Sequence, residues 1–338
     1  MVPLGLMTSR SVFALLLSAA AGTFSFAQEI TSDVIVQNAS VNDGYGGWPL
    51  CGVGGQVYRH PGGGDLTSVM RVSPDGSTLL FTLPEDVFPG VIAPAGTGLS
   101  VLSDVYSNSE SHFSVVMFHF DSQAHLLARN PVTIPVQPYS MAVLPSGRTV
   151  VVGGHLKDAD HPEDRKYGFA ILDANDKLWK SVDLPLPPGG GGWTFSSQMA
   201  SGEGVAYVML HSNQPPQTAI ATISEYGNQN LNIKVIAAPL DTEIRHHNEW
   251  VFASGVVVDI YHYSNERPHV SSRFDEYDLN TGEKIATKTA PPTGYQFGCY
   301  LGNEFSMLAD SAHTDPARHL SPHALRLVTA KLKLDPTR

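Results

Sequence analysis

Apolar and polar residues alternate along this chain in short runs, each closed by a turn residue, and the runs return at a regular spacing. They read SVMRVSPDG (68–76), VVMFHFDSQ (115–123), YGFAILDAND (167–176), TAIATISEYGN (218–228), SSRFDEYDLNTG (271–282) and ALRLVTAKL (324–332). Their marker residues Asp75, Asp121, Asp173, Glu225, Asp278 and Lys331 lie 46, 52, 52, 53 and 53 positions apart. Alternation with a period of two predicts strands. A repeat of about fifty residues built only from short strands and turns predicts blades set around an axis rather than two stacked sheets. The expected fold class is all-β, a six-bladed β-propeller.

Within a repeat the punctuation resolves four strands. In the third they are Ser140 to Val143, Arg148 to Gly153, Lys166 to Leu172 and Leu178 to Leu184, with turns at Pro145-Ser146-Gly147 and Ala174-Asn175-Asp176. The fifth follows the same plan, with Trp250 to Ala253, Gly255 to Tyr263, Ser272 to Tyr277 and Lys284 to Thr289. Outside the first residues no window of helical period reaches even about ten residues, which excludes a helix bundle. The sixth repeat stops after its third strand. Residues 31–38, containing the extended run Asp33-Val34-Ile35-Val36-Gln37, are expected to supply the missing outer strand and so close the ring.

The first 27 residues have a different character. Arg10 is followed by the apolar stretch Val12 to Ala21 and by the small-x-small site Ser25-Phe26-Ala27, the pattern of a cleaved signal peptide. Residues 28–338 are then expected to form one β-propeller domain, secreted or periplasmic, because Gly and Pro are spread along the chain rather than gathered in a linker. No later run is long and apolar enough for a membrane span, and Gln28 rather than a lipidation Cys follows the cleavage site, so no membrane anchor is expected. The formal net charge of −11 argues against nucleic acid or anionic lipid as a partner.

Candidate chemistry gathers where outer strands lead into the next inner strand and where second strands end. The connections carry Trp48, Tyr139, Trp193, Trp250 and Tyr295. Flat rings around a central pit suit a sugar, an aromatic ligand or a peptide, or else they wedge between blades as packing. Second strands end near His60, His155, His211 and His262, with His246 and His247 on the loop leading into the fifth repeat and His313 more loosely placed. Such imidazoles either hold a divalent metal, act as general bases, or make structural hydrogen bonds to neighbouring loops. Cys51 and Cys299 are the only cysteines, at matching positions in the first and last repeats. A disulfide across the closure is expected in an oxidising compartment, with two separate buried thiols as the alternative. Gly189 to Gly192 lacks the Lys-Ser/Thr of a phosphate loop, and the acidic run Asp158 to Asp164 lacks EF-hand spacing. Asn38-Ala39-Ser40 is a glycosylation sequon.

This strand grammar, over nearly the whole of residues 28–338, resembles six-bladed propellers of the NHL, YWTD and TolB-like groups. The chain has no YWTD tetrapeptide, WD-type ending or kelch double-Gly in register. The resemblance implies the fold, and those groups contain binding scaffolds, lactonases and lyases. Two functions follow as expectations. The first is an exported scaffold that binds a small molecule or protein on its loop face. The second is a metal- or His-dependent hydrolase or lyase with its site in the central pit.

Overall fold

A computed structural model describes residues 28–40, 50–51, 57–59, 67–73, 75–84, 87–108, 112–155, 166–186, 193–213, 216–236, 246–252, 255–262, 270–278, 281, 283–289, 297–301, 304–310 and 324–332. The described residues are all-β. The chain begins in strand β1 (Gln28–Ser40). A first antiparallel sheet then takes β2 (Leu50–Cys51), β3 (Val57–Arg59), β4 (Ser68–Ser73) and β5 (Gly76–Thr82) in sequence order. The second takes β6 (Pro89–Ala95), β7 (Gly98–Ser103), β9 (Phe113–Phe120) and β10 (Leu126–Ile134), with the short β8 (Ser107–Asn108) set against β9. The third runs β11 (Gln137–Val143), β12 (Thr149–His155), β13 (Lys166–Leu172), β14 (Leu178–Asp183). The fourth runs β15 (Trp193–Gly202), β16 (Val205–Asn213), β17 (Pro216–Ser224), β18 (Gly227–Ile236). The fifth runs β19 (His246–Phe252), β20 (Gly255–His262), β21 (Val270–Tyr277), β22 (Lys284–Thr289).

The sixth sheet departs from sequence order. β23 (Phe297–Leu301), β24 (Glu304–Asp310) and β25 (Ala324–Leu332) form three of its strands, and β1 is the fourth. β1 lies antiparallel to β25, from Gln28 opposite Leu332 to Ser40 opposite Ala324, with two register shifts along the way. The segment 31–38 expected at this edge lies inside β1, which is longer at both ends. The pairing gives β25 a partner on the side where it would otherwise present a bare row of N–H and C=O groups.

The first four sheets pack face to face in succession. Along β12 the run Val150-Val151-Val152 is entirely buried, because its residues point alternately to two neighbours. Val151 joins Met141, Ala170 and Leu172 in a cluster with Leu102, Val115, Met117 and Ile134 of the second sheet. Val150 and Val152 join Phe169 and Ile171 in a cluster with Ala206, Val208, Leu210 and Ile223 of the fourth. A third cluster joins Val69 and Phe81 to Val101, Val116 and Phe118 of the second sheet, with Phe81 stacked 4.2 Å from Phe120. A strand buried on both faces reads as a continuous apolar run, as β12 does. The fourth strand β14 instead shows exposed and half-buried positions only. Gly98 and Gly153 allow the closest backbone approaches, since a Cβ would overlap the carbonyl oxygens of Phe120 and Gln137.

The fifty-residue period has a local cause. Asp121 and Asp173 sit at the turns from third to fourth strand, and each Oδ1 accepts two backbone N–H groups. Gln123 and His125 donate to Asp121 at 2.8 Å, and Asn175 and Lys177 donate to Asp173 at 2.9 Å. Asp278 accepts from the Thr281 N–H at 2.8 Å in the same place. Ala124 and Asp176 complete the first two turns with φ of 64° and 59°. These acids therefore mark the turn that each repeat needs, in the manner of an Asx-turn.

Accepting the His125 N–H holds the Asp121 carboxyl below its ordinary range, and accepting the Lys177 N–H does the same for Asp173. A lowered folded-state value stabilises the fold above the unfolded carboxylate range, and that contribution disappears as pH falls through the lowered value. Replacing both residues with Asn is expected to flatten the loss of stability below about pH 4, read by thermal melts across the acid range. An acid limb as steep as the wild type's would contradict this reading.

Candidate functional site

In every antiparallel four-strand sheet the first-to-second and third-to-fourth turns share one end. The second-to-third and fourth-to-first connections share the other, and the described histidine candidates fall near this second end. His155 is the last residue of β12, opposite Lys166 of β13. His211 lies two residues before the end of β16, opposite Thr194 and Thr218. His262 ends β20 opposite Val270, and His246 opens β19 opposite Tyr261. His246 and His247 therefore belong to a strand, not to the loop expected for them. His60, Trp48 and Tyr295 lie outside the described residues.

The aromatic candidates sit differently from expectation. Tyr139, Trp193 and Trp250 are strand residues rather than members of connections. Tyr139 is the extra residue at a register shift between Pro138 and Ser140, and Trp250 pairs with Val257 inside β19. Trp193 opens β15, is 5% exposed, and belongs to the core between the third and fourth sheets. Phe195 bridges Tyr139 and Tyr167 with centroid separations of 5.7 and 5.3 Å. Inter-sheet packing accounts for the rings of Trp193 and Tyr139, the latter at a β-bulge.

Cys51 is the second residue of the two-residue β2, and Cys299 is the middle residue of β23. β2 and β23 adjoin, which brings the first and last sheets together at the cysteine-bearing strands.

The best-defined polar constellation was not legible as a site in the sequence. Ser100 Oγ lies 2.9 Å from His119 Nδ1, and His119 Nε2 lies 2.8 Å from Asp176 Oδ2. Asn130 Nδ2 donates to the same carboxylate oxygen at 2.7 Å. Ser100, His119 and Asn130 belong to the second sheet, whereas Asp176 comes from the β13–β14 turn of the third. Its left-handed backbone, which Asp adopts more readily than most residues, aims the carboxylate across the gap. The order Ser–His–Asp resembles a nucleophile chain, but Ser100 is 0% exposed, so no substrate carbonyl can reach its hydroxyl. Chemically the arrangement is a half-buried tie between sheets, in which Ser100, His119, Asn130 and Asp176 pair with one another in a chain. The one signal in the sequence was His119 itself, a polar residue interrupting the buried run VVMFHF.

An open groove of about 530 Å³ lies along the second sheet, lined by Val87, Tyr106, Val116, Arg129 and Pro131. Arg129 stands over the Phe118 ring at 5.9 Å. None of the sequence-predicted candidates lines this groove. Among the described residues no cluster of three or more metal-ligating side chains occurs. No described helix is long and apolar enough to cross a membrane.

No family model matches the sequence, and no curated protein does. Solved structures do show likeness. YjhT is similar over 85% of this chain and 94% of its own, with a TM-score of 0.51 and 12% identity. A protein of unknown function from Bacteroides caccae covers 78% of this chain and 86% of its own, at TM-score 0.43 and 11% identity. Cobalt-substituted Synechocystis ACO covers 83% and 70%, at TM-score 0.47 and 11% identity. Of these three, YjhT alone is similar enough to bear on the fold, and at 12% identity it bears on nothing else.

The inter-sheet tie yields a quantitative expectation. Asp176→Ala removes the shared acceptor of two half-buried donors and should cost about 1 kcal/mol or more. In a double-mutant cycle, His119→Ala and Asp176→Ala should couple by about 0.5–3 kcal/mol, measured by denaturant unfolding. Additive effects would show that the contact contributes nothing of its own.

Proposed function

We propose that the six sheets are the blades of a six-bladed propeller, and that the protein is exported and binds a small molecule or a protein partner. Binding would use the end that carries the second-to-third and fourth-to-first connections. The observation that carries this reading is the strand order. Five sheets are built from consecutive strands, and the sixth is completed by the first strand of the chain. First strands of neighbouring sheets also adjoin: β2 with β6, β6 with β11, β11 with β15, β15 with β19, and β2 with β23. Closed into a ring, first strands arranged in this order would leave an axial pit where they converge, the usual place for a ligand in a closed β architecture. Arg10, the apolar stretch Val12 to Ala21 and Ser25-Phe26-Ala27 support export.

A second reading has its own support. The backbone places His155, His211, His246 and His262 at this same end, on three different sheets. In that reading the histidines hold a divalent metal, or act as general bases, in a hydrolase or lyase. Cys51 and Cys299 would form a disulfide across the closure in either case, since their strands adjoin.

Elemental analysis of the protein purified without a metal-binding tag separates the two. The scaffold reading expects no bound transition metal. About one metal per chain that His211→Ala or His262→Ala removes, with the fold intact, would replace it with the metalloenzyme reading. Thiol counting on the same unreduced, denatured sample is expected to find no free thiol, and two free thiols would rule out the disulfide.

A further inference from the structure

The opposite end of the sheets, where the first-to-second and third-to-fourth turns lie, carries a second feature that the binding reading does not use. Leu126 and Leu127 open β10 at 51% and 67% exposed, and Leu178 and Trp179 open β14 at 41% and 45%. Tyr226, 56% exposed, immediately precedes β18. β10 adjoins β14, and β14 adjoins β18. The five side chains lie at the entrances of the outer strands of three successive sheets, on the strip of outer strands where β14 adjoins both β10 and β18.

Arg148, from the β11–β12 turn, lies within this strip. Its Cζ is 4.3 Å from the Trp179 ring centroid and 5.4 Å from that of Tyr226. One Nη1 donates to the Glu225 carbonyl oxygen at 3.5 Å. The carboxylate of Glu225 packs on the Gly204 side, and among the described residues Arg148 makes no ion pair. Rings against a guanidinium cover its faces and leave its in-plane N–H groups available, the geometry that accepts a carboxylate two-pronged.

We propose that this strip is a docking surface for a protein segment that presents a carboxylate side chain flanked by apolar ones. Trp, Tyr and Arg are the residue types that dominate binding energy at protein interfaces, and a contiguous exposed apolar patch is uncommon on a chain without a partner. The carboxylate completes the one charge that the strip leaves unpaired, and its apolar neighbours cover Leu127 and Leu178.

The test uses the full protein, a synthetic peptide alternating leucine with glutamate, and the same peptide with glutamine in place of glutamate. Titration calorimetry at low salt is expected to show saturable binding of the glutamate peptide, about tenfold tighter than the glutamine peptide. Arg148→Lys should abolish that preference, because an ammonium neither forks nor stacks in the same way. Leu127→Glu, at an exposed position away from the Arg148 stack, should weaken binding of the glutamate peptide without moving the Tm. No saturable binding, equal affinity for the two peptides, or an unaltered preference in Arg148→Lys would overturn the proposal. So would sedimentation showing a wild-type dimer that Leu127→Glu dissociates, since the strip would then be an interface between copies.

Discussion

The ladder between β1 and β25 joins the two ends of the chain in one sheet, and the arrangement of the other sheets depends on it. The second and third sheets are each buried on both faces by their neighbours, through the clusters around Val101, Val151 and Val150. A row of sheets packed in this way has to end somewhere, and each end would expose an apolar face and an unpaired strand edge. Supplying the fourth strand of the last sheet from the start of the chain brings the sixth sheet back beside the first, as the adjacency of β2 and β23 shows. The cost is entropic, because the pairing closes nearly the whole chain. The logarithmic growth of loop entropy with length keeps that cost modest.

Between sheets the interactions are mainly apolar, with a few polar contacts among them. The Ser100–His119–Asp176–Asn130 chain crosses one such layer with all of its polar side chains within hydrogen-bond reach of one another. Its effect is to fix how the second and third sheets sit relative to one another, since an apolar layer alone tolerates sliding more readily than a directional contact does. The same turns that produce the repeat also provide these links: the Asp173 turn projects Asp176 to one neighbour. At the boundary with the fourth sheet, Arg148 lies against Trp179 of its own sheet and Tyr226 of the next. Repetition thus builds the layers, and non-repeated residues in the turns give each boundary its own chemistry.

How much of this was legible depended on the range of the interaction. The acids at Asp121, Asp173 and Asp278 act within four residues, so their spacing exposed the repeat directly. The pairing of β1 with β25 was legible because the last repeat lacks a strand and an unassigned extended segment was available to fill it. The role of Trp193 was not, because a ring beside glycines reads the same whether it faces a ligand or the neighbouring sheet. His119 and Asp176 stand 57 positions apart, and nothing in local pattern says that a turn residue of one repeat reaches a strand residue of the one before. The histidines at the second-strand ends fell between these cases. Their positions along the strands were legible, while what they converge on is a matter of chemistry rather than of period.

The most direct test of the account is native-state hydrogen exchange followed residue by residue along β1. If the ladder with β25 closes the structure, the amides of residues 28–40 that face β25 should exchange only through global opening, with the same protection as the buried strands β12 and β16. Exchange of those amides at rates near those of an unstructured chain, while β12 and β16 remain protected, would show that the first strand is an appendage and that the sheets hold together without it.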